Sequence, residues 1–397
     1  MTPCSELADI HWLTGNEART LLAELAENTA PLHTKIATLR GQLSAARTHL
    51  LVEQAELRRR ATAKFTHPEE MFFTRVGLEQ STDEWVAQYK ANRIHLAASR
   101  QDTIKIADLC CGIGGDLRAL ATLSHAAGID HDPIAAHFAH LNAKTEIRSD
   151  DVTTIDLTDY DAWHIDPDRR PTGQRTTSLD YCAPDRNAID QMLARNPNAT
   201  IKLAPATKLP PDWLDRCELE WISRDGECKQ LVTWHGSLAI NSGSRGATVL
   251  RSSQVNSVPR TIVGTPDQPV PITRELNRYI FDVDPAVLVA HLTGVLAAEH
   301  NLSALGQDPT YLTGPAPISD AALDCFEVRE ILPFRTRELS QALRTRGIGQ
   351  LEIKKRGIDI TPETLRRDLK LRGPNAATLL LTKIAARPTA ILASRIT

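Results

Sequence analysis

Residues 107–121 read ADLCCGIGGDLRALA. A short apolar run, IKIADL, leads into Gly112, Gly114 and Gly115, and the helical pattern DLRALATL follows. Glycines at a strand-to-helix bend let the backbone approach a ligand closely, and α/β proteins hold nucleotides at such bends. The dinucleotide fingerprint G-x-G-x-x-G would need glycine at position 117, where Leu117 stands. Carboxylates also flank the glycines, at Asp108 and Asp116. A pyrophosphate beside them would meet a Coulomb cost of about 1–4 kcal/mol per close pair. The loop is ill suited to phosphate.

A ligand with positive charge and no phosphate suits it better. S-adenosylmethionine carries a sulfonium and an ammonium beside one carboxylate, so the acids attract the cations while loop amides take the carboxylate. Two further acids fall where its adenosine needs them. Asp130 ends the next β-rich run, AAGID, 22 residues after Asp108, where a carboxylate accepts from both ribose hydroxyls. In IRSDDVT, Asp151, or else Asp150, is placed for the adenine amino group. The ordered set D-x-x-x-G-x-G-G, strand-end Asp, Asp-Val and HIDPDRR is far more specific than its glycines alone. No Cys/His spacing points to a metal.

Outward from this loop, residues 104 to about 250 alternate short β-rich runs with helical stretches, which predicts a largely parallel α/β sheet. The runs are IKIADL, AAGID, AWHID, ATIKLA, LEWIS and QLVTWHG, and the closeness of the last two predicts an antiparallel pair at the sheet edge. Upstream, residues 16–62 carry leucines at helical spacing and end in the basic cluster Arg58, Arg59, Arg60 and Lys64. Ser81 and Glu84 have capping-box spacing, which predicts a helix starting near Thr82. Residues 241–271, rich in Gly, Ser and Pro, read as a connecting segment. Beyond it, 284–300 reads as one helix, 333–371 as helix–strand–turn–helix, and ATLLLTKI with TAILASRI as a closing strand pair.

The expected organisation is therefore a helical region over 1–75, a sheet domain over 76–250, and a linker with a small α+β domain over 251–397. A length of 397 residues allows two or three domains. With 42% apolar and 24% charged residues the composition is that of a soluble globular chain. No run of about 18 apolar residues is present, so no membrane partner is expected. Seven cysteines, an odd number with two adjacent, read as reduced thiols in a cytoplasm. Net charge is −3 overall, yet residues 329–397 hold fifteen Lys/Arg against six Asp/Glu. A basic terminal module on an acidic body points to a polyanionic partner.

LRRRATAKF, EEMFFTRVGLEQSTDE, ADLCCGIGGD, HIDPDRR and ILPF…GIGQLEIKKRG together resemble the bacterial class I methyltransferases with a C-terminal THUMP-like domain. The resemblance runs from about residue 50 to the end. It implies a Rossmann-like core that binds S-adenosylmethionine, a helical N-terminal region and a small α+β THUMP-like domain. The catalytic half is also similar to the trimethylguanosine synthases, whose upstream arm opens a helix over the cofactor. That likeness maps the arm onto Gln80 and Thr82, the loop onto Asp108, Gly112, Gly114 and Gly115, and the ribose acid onto Asp130.

Methyl transfer needs a nucleophile aligned about 3–3.5 Å from the sulfonium methyl with water excluded. Base-methylating relatives place Asp/Asn-Pro-Pro-aromatic after the fourth strand. Here Asp166-Pro167-Asp168-Arg169-Arg170-Pro171 keeps the first acid, which can accept from an amine or take up its proton, but lacks the second proline and the aromatic. Asp166 and Arg169 are the candidate catalytic residues. Arg170 is a candidate substrate-binding residue; Arg169 and Arg170 are both fork-like donors that could hold phosphates, with an ion pair to Asp168 or Asp180 as the alternative for each. In LEIKKRG, a strand running into a glycine turn would expose Lys354, Lys355 and Arg356 together for a phosphate backbone. THUMP domains bind RNA, so the resemblance implies structured RNA as partner. The expected function is an S-adenosylmethionine-dependent RNA methyltransferase. The alternatives are a small-molecule or protein methyltransferase, and an RNA-binding protein with an inactive core.

Overall fold

The apolar runs from residue 104 onward become parallel strands because both of their faces are covered. A computed structural model of the chain describes residues 3–98, 104–171, 173–174, 176–252, 258–306 and 310–396. They divide into two units: residues 1–203, 207–217 and 233–242, and residues 204–206, 218–232 and 243–397.

In the first unit, β1 (Lys105–Leu109), β2 (His125–Asp130), β3 (Glu146–Ser149), β4 (Ala162–Ile165) and β5 (Ala199–Leu203) lie in the order β3-β2-β1-β4-β5. All neighbouring pairs are parallel, and Leu109 at the end of β1 sits opposite Ile129 and Ile165. Every residue of β4 and β5 is buried. The reversal of strand order at β1 puts the glycine loop at the carboxyl ends of the strands, where such sheets bind ligands.

The helices of this unit are α1 (Pro3–Leu13), α2 (Asn16–Glu27), α3 (Leu32–Arg40), α4 (Ala45–Ala61), α5 (Arg75–Gln80), α6 (Glu84–Ala98), α7 (Gly115–Leu120), α8 (Pro133–Ala143), α9 (Arg186–Arg195) and α10 (Pro211–Leu214). Leu13, Leu22, Leu39, Leu51 and Leu57 share one core with Phe72, Ile113 and Phe138, so the N-terminal helices pack onto the loop and α8. Asn142 ties them together. It accepts from Phe72 N at 2.8 Å and donates to the carbonyls of Phe72 and Ile113. The capping box is not formed as expected. Asp83 caps α6 by accepting from Val86 N, whereas Ser81 turns back to Leu78 O, because Thr82 is drawn into the interior.

The second unit contains β6 (Glu218–Arg224), most of β7 (Glu227–Trp234), β8 (Arg245–Leu250) and β9 (Arg260–Gly264). β8 pairs parallel with β6 and antiparallel with β9. This corrects two expectations. LEWIS is not at an edge, and the expected connecting segment holds two strands; its residues 253–257 lie outside the described residues. The Gly, Ser and Pro of that stretch flank GATVL and RTIVG, short β-branched runs that pair with each other. The expected single helix over 284–300 is two, α11 (Pro285–Val289) and α12 (Thr293–His300), parted where His291 takes a φ of 60°.

A seven-stranded sheet completes this unit, from β10 (Tyr279–Val283), β11 (Ser303–Ala304), β12 (Tyr311–Gly314), β13 (Leu323–Leu332), β14 (Ile348–Lys355), β15 (Asn375–Ile384) and β16 (Arg387–Arg395), in the order β11-β12-β10-β13-β16-β15-β14. β15 and β16 are the expected closing antiparallel pair. α13 (Thr336–Thr345) and α14 (Pro362–Leu369) flank β14, burying Leu339, Leu343, Leu365 and Leu369 in one cluster with it. The chain thus has an N-terminal helical region, a Rossmann-like sheet and a small C-terminal α+β domain.

Candidate cofactor and acceptor site

The loop after β1 needs its glycines. Gly112 has a φ of 55° and Gly114 of 83°, left-handed values that favour glycine. A Cβ on Gly114 would press on the α8 backbone, 3.2 Å from Ala139 Cα, so this glycine lets loop and helix meet. A Cβ on Gly112 would meet nothing within 4 Å. That face of the loop is open.

Asp130 holds the loop from the end of β2. It is 6% exposed, and its Oδ2 accepts from Gly112 N at 2.8 Å while Oδ1 accepts from Asp132 N at 2.9 Å. Asp151 follows β3 and is exposed; it accepts from the backbone and hydroxyl of Thr153, which lower its pKa.

Beneath the loop lies a buried charge network that the motifs did not reveal. Lys90 of α6 reaches Asp116 at 2.7 Å, both nearly solvent-free. Thr82 donates to the same carboxylate at 2.6 Å, and His164 Nε2 lies 3.4 Å from it. His164 shares a 2.6 Å hydrogen bond with Thr200 through Nδ1. Burial and then the charge of Lys90 lower the His164 pKa, against the raising effect of Asp116. Lys202 of β5 contacts Asp166 at 2.5 Å and donates to the Gln80 carbonyl at 3.3 Å. Asp108 is 1% exposed, and its Oδ2 has no hydrogen-bond partner.

The segment bearing Gln80 and Thr82 is held from several sides. Lys64 donates to the carbonyls of Leu78, Glu79 and Ser81 at 2.8–2.9 Å, so this member of the basic cluster caps the end of α5. Arg170 pairs with Glu79 at 2.8 Å rather than with Asp168 or Asp180 through its guanidinium. Its backbone N–H does bond to Asp168. Arg169 lies close enough for its charge to act on Lys202 and Cys182. The structure therefore brings Gln80, Thr82, Asp108, Gly112, Gly114, Gly115, Asp130, Asp166, Arg169 and Arg170 together in one unit. The role of Lys64, legible only as one of a basic cluster, was missed in the sequence, and so were Lys90 and Lys202. Their only signal was a lysine inside the apolar run ATIKLA and one inside a helix.

In the second unit the expected exposed triple is corrected. Lys354 bonds to Asp282 and Asp324 at 2.8 and 2.7 Å, and Arg356 pairs with Asp282 at 2.9 Å. Alternation along the strand puts these two on the face carrying the acids and leaves Lys355 exposed. Glu299, His300 and Asp320 also cluster here, but Arg260 reaches both acids, at 2.5 and 3.1 Å, and supplies the positive charge a metal would.

An open glycine face beside a buried, unpartnered carboxylate fits a ligand with a small cationic end, as S-adenosylmethionine has. The comparisons agree. Residues 323–395 match the THUMP domain-like family. The chain is 32% identical over 352 residues to uncharacterized S-adenosylmethionine-dependent methyltransferases of two Mycobacterium tuberculosis strains, covering 85% of this chain and 93% of theirs. A crystal structure from Porphyromonas gingivalis W83, named as a methyltransferase, has the same fold at 20% identity, with a TM-score of 0.73 over 100% of this chain and 99% of that one. Among the described residues no helix is long and apolar enough to cross a membrane. The chain belongs to the bacterial class I S-adenosylmethionine-dependent methyltransferases and carries a C-terminal THUMP-like domain.

Proposed function

We propose that the chain methylates RNA, working in the cytoplasm. The observation that carries this reading is the joining of a methyl-donor site to a THUMP-like domain whose matched residues, 323–395, hold fifteen basic and eight acidic residues. In this reading loop amides at Gly112, Gly114 and Gly115 take the cofactor carboxylate, Asp108 faces its positive end, Asp130 takes the ribose hydroxyls and Asp151 the adenine. The segment at Gln80 and Thr82 closes over it, as the likeness to trimethylguanosine synthases implies.

Asp166 lines the acceptor side. Held by its contact with Lys202, it accepts a hydrogen bond from an acceptor N–H while the nitrogen attacks in line. Arg169 and Arg170 face RNA phosphates, Arg170 exchanging Glu79 for a phosphate oxygen. A second reading, a protein or small-molecule acceptor, is favoured by one observation: Asp168 and Arg169 stand where base-methylating relatives have the second proline and the aromatic that stacks on the base.

Incubation with radiolabelled S-adenosylmethionine and with RNA, DNA and protein fractions from a strain lacking the gene tests the proposal. Label should enter RNA. Label in protein alone would favour the second reading. At the THUMP-like domain, Lys355→Glu should weaken binding of structured RNA and lower its salt slope by about one. Lys354→Met should act through stability, because it leaves Asp282 and Asp324 short of a partner. Filter binding across a salt series with paired thermal melts separates the two. An unchanged slope for Lys355→Glu would remove it from the RNA surface.

A further inference from the structure

Three carboxylates and two lysines crowd the strand ends of the first unit, and the charges do not balance. Lys90 is committed to Asp116 and Lys202 to Asp166. Asp108 is left over: buried to 1% exposure, one oxygen without any hydrogen-bond partner and no cation within ion-pair reach among the described residues. The groups that act on it come from every neighbouring element. They are Asp116 of α7, Lys90 of α6, Asp166 after β4 and Lys202 of β5; the thiols of Cys110 and Cys111, on which Asp108 acts in turn, stand in the loop, and His164 lies opposite Asp108 on β4. A buried carboxylate with no partner is costly, and such a group neutralises itself instead. Burial and the negative charge of Asp116 outweigh the two lysines and raise the Asp108 pKa well above the carboxyl range.

We propose that Asp108 holds a proton in the cofactor-free chain and releases it when the cationic end of the methyl donor enters, so that cofactor binding is coupled to proton release. The Asp108 O–H bond breaks, the proton passes to the buffer, and the carboxylate pairs with the arriving cation. The inference rests on the cofactor assignment and goes beyond it. It makes the affinity for S-adenosylmethionine rise with pH by up to roughly tenfold per unit while Asp108 remains protonated in the free chain.

Calorimetry of the full chain with S-adenosylmethionine, at about pH 7 in phosphate, Hepes and Tris, counts the protons from the dependence of the observed heat on buffer ionisation heat. Wild type should release close to one proton per cofactor bound. Asp108→Asn, neutral and nearly isosteric, should release close to none, with folding checked by circular dichroism. Should that variant not fold, the wild-type rise of affinity between about pH 6 and 8 carries the test alone. S-adenosylhomocysteine, which keeps the ammonium, and 5′-methylthioadenosine, which has neither charge, complete the set. Release with the first two ligands assigns the partner to the ammonium, and release with S-adenosylmethionine alone assigns it to the sulfonium. Binding of S-adenosylmethionine with equal heat in all three buffers and no pH dependence overturns the proposal, as does full release from Asp108→Asn. Failure of S-adenosylmethionine to bind would instead overturn the cofactor assignment.

Discussion

Lys90→Met should destabilise the first unit by about 3–5 kcal/mol, the usual cost of removing one partner from a buried ion pair. Lys90 and Asp116 are 2% and 9% exposed and 2.7 Å apart. Methionine fills much of the lysine stem's volume, so the loss is that of charge compensation rather than of packing. Burial by itself would raise the Asp116 pKa. Lys90, then His164 and Lys202, more than offset this and hold it well below the carboxylate range. A group depressed in the folded state contributes stability that is complete above its unfolded pKa of about 4 and is lost as pH falls through the folded value.

The variant reverses this trend. With Lys90 gone, burial dominates at Asp116, the folded pKa rises above the unfolded one, and the variant loses stability as pH climbs. Urea midpoints at about pH 5 and pH 8 should therefore show a larger deficit at the higher pH. Adding Asp116→Asn should recover part of the loss, because the uncompensated charge is its source. A variant within about 1 kcal/mol of wild type at both pH values would mean that the pair is not buried as described.

Gly112→Ala should leave the chain folded and reduce S-adenosylmethionine affinity at least tenfold, about 1.4 kcal/mol. At a φ of 55° alanine carries a left-handed strain of about 1–2 kcal/mol. The new methyl touches no protein atom within 4 Å, so nothing in the chain has to move. It stands instead in the open face of the loop, where the proposed reading puts the backbone contacts to the cofactor. Gly226→Ala is the matched control, with a φ of 79° and equally free space in the turn between β6 and β7. Both variants should melt at similarly lowered temperatures, and only Gly112→Ala should lose affinity in calorimetric titration. Equal affinities would place the cofactor elsewhere.

The strands around this loop were legible because a covered parallel strand is an unbroken apolar run, and IKIADL, AWHID and ATIKLA are such runs. Asp130 was legible for a related reason, since chain order alone puts it at the end of the strand beside β1. The buried lysines were not. A lysine in a sequence reads as solvent-facing, and what keeps Lys90 and Lys202 inside is a carboxylate 26 or 36 residues away in the chain. The same distance effect misled at Lys354 and Arg356, whose partners at 282 and 324 belong to other strands. β8 and β9 escaped notice because Gly, Ser and Pro around them outweighed two short β-branched runs. The break between α11 and α12 is a left-handed turn at a histidine, for which the sequence offers no local signal.

The acid-lined loop is proposed to take a cationic methyl donor and not an anionic dinucleotide. Isothermal titration of the purified chain with S-adenosylmethionine and, separately, with NAD tests it most directly. S-adenosylmethionine should bind saturably with one site per chain, and NAD should give no measurable heat, its pyrophosphate set beside Asp130 in a loop where Leu117 replaces the last glycine of the dinucleotide fingerprint. Saturable binding of NAD without binding of S-adenosylmethionine would contradict the account.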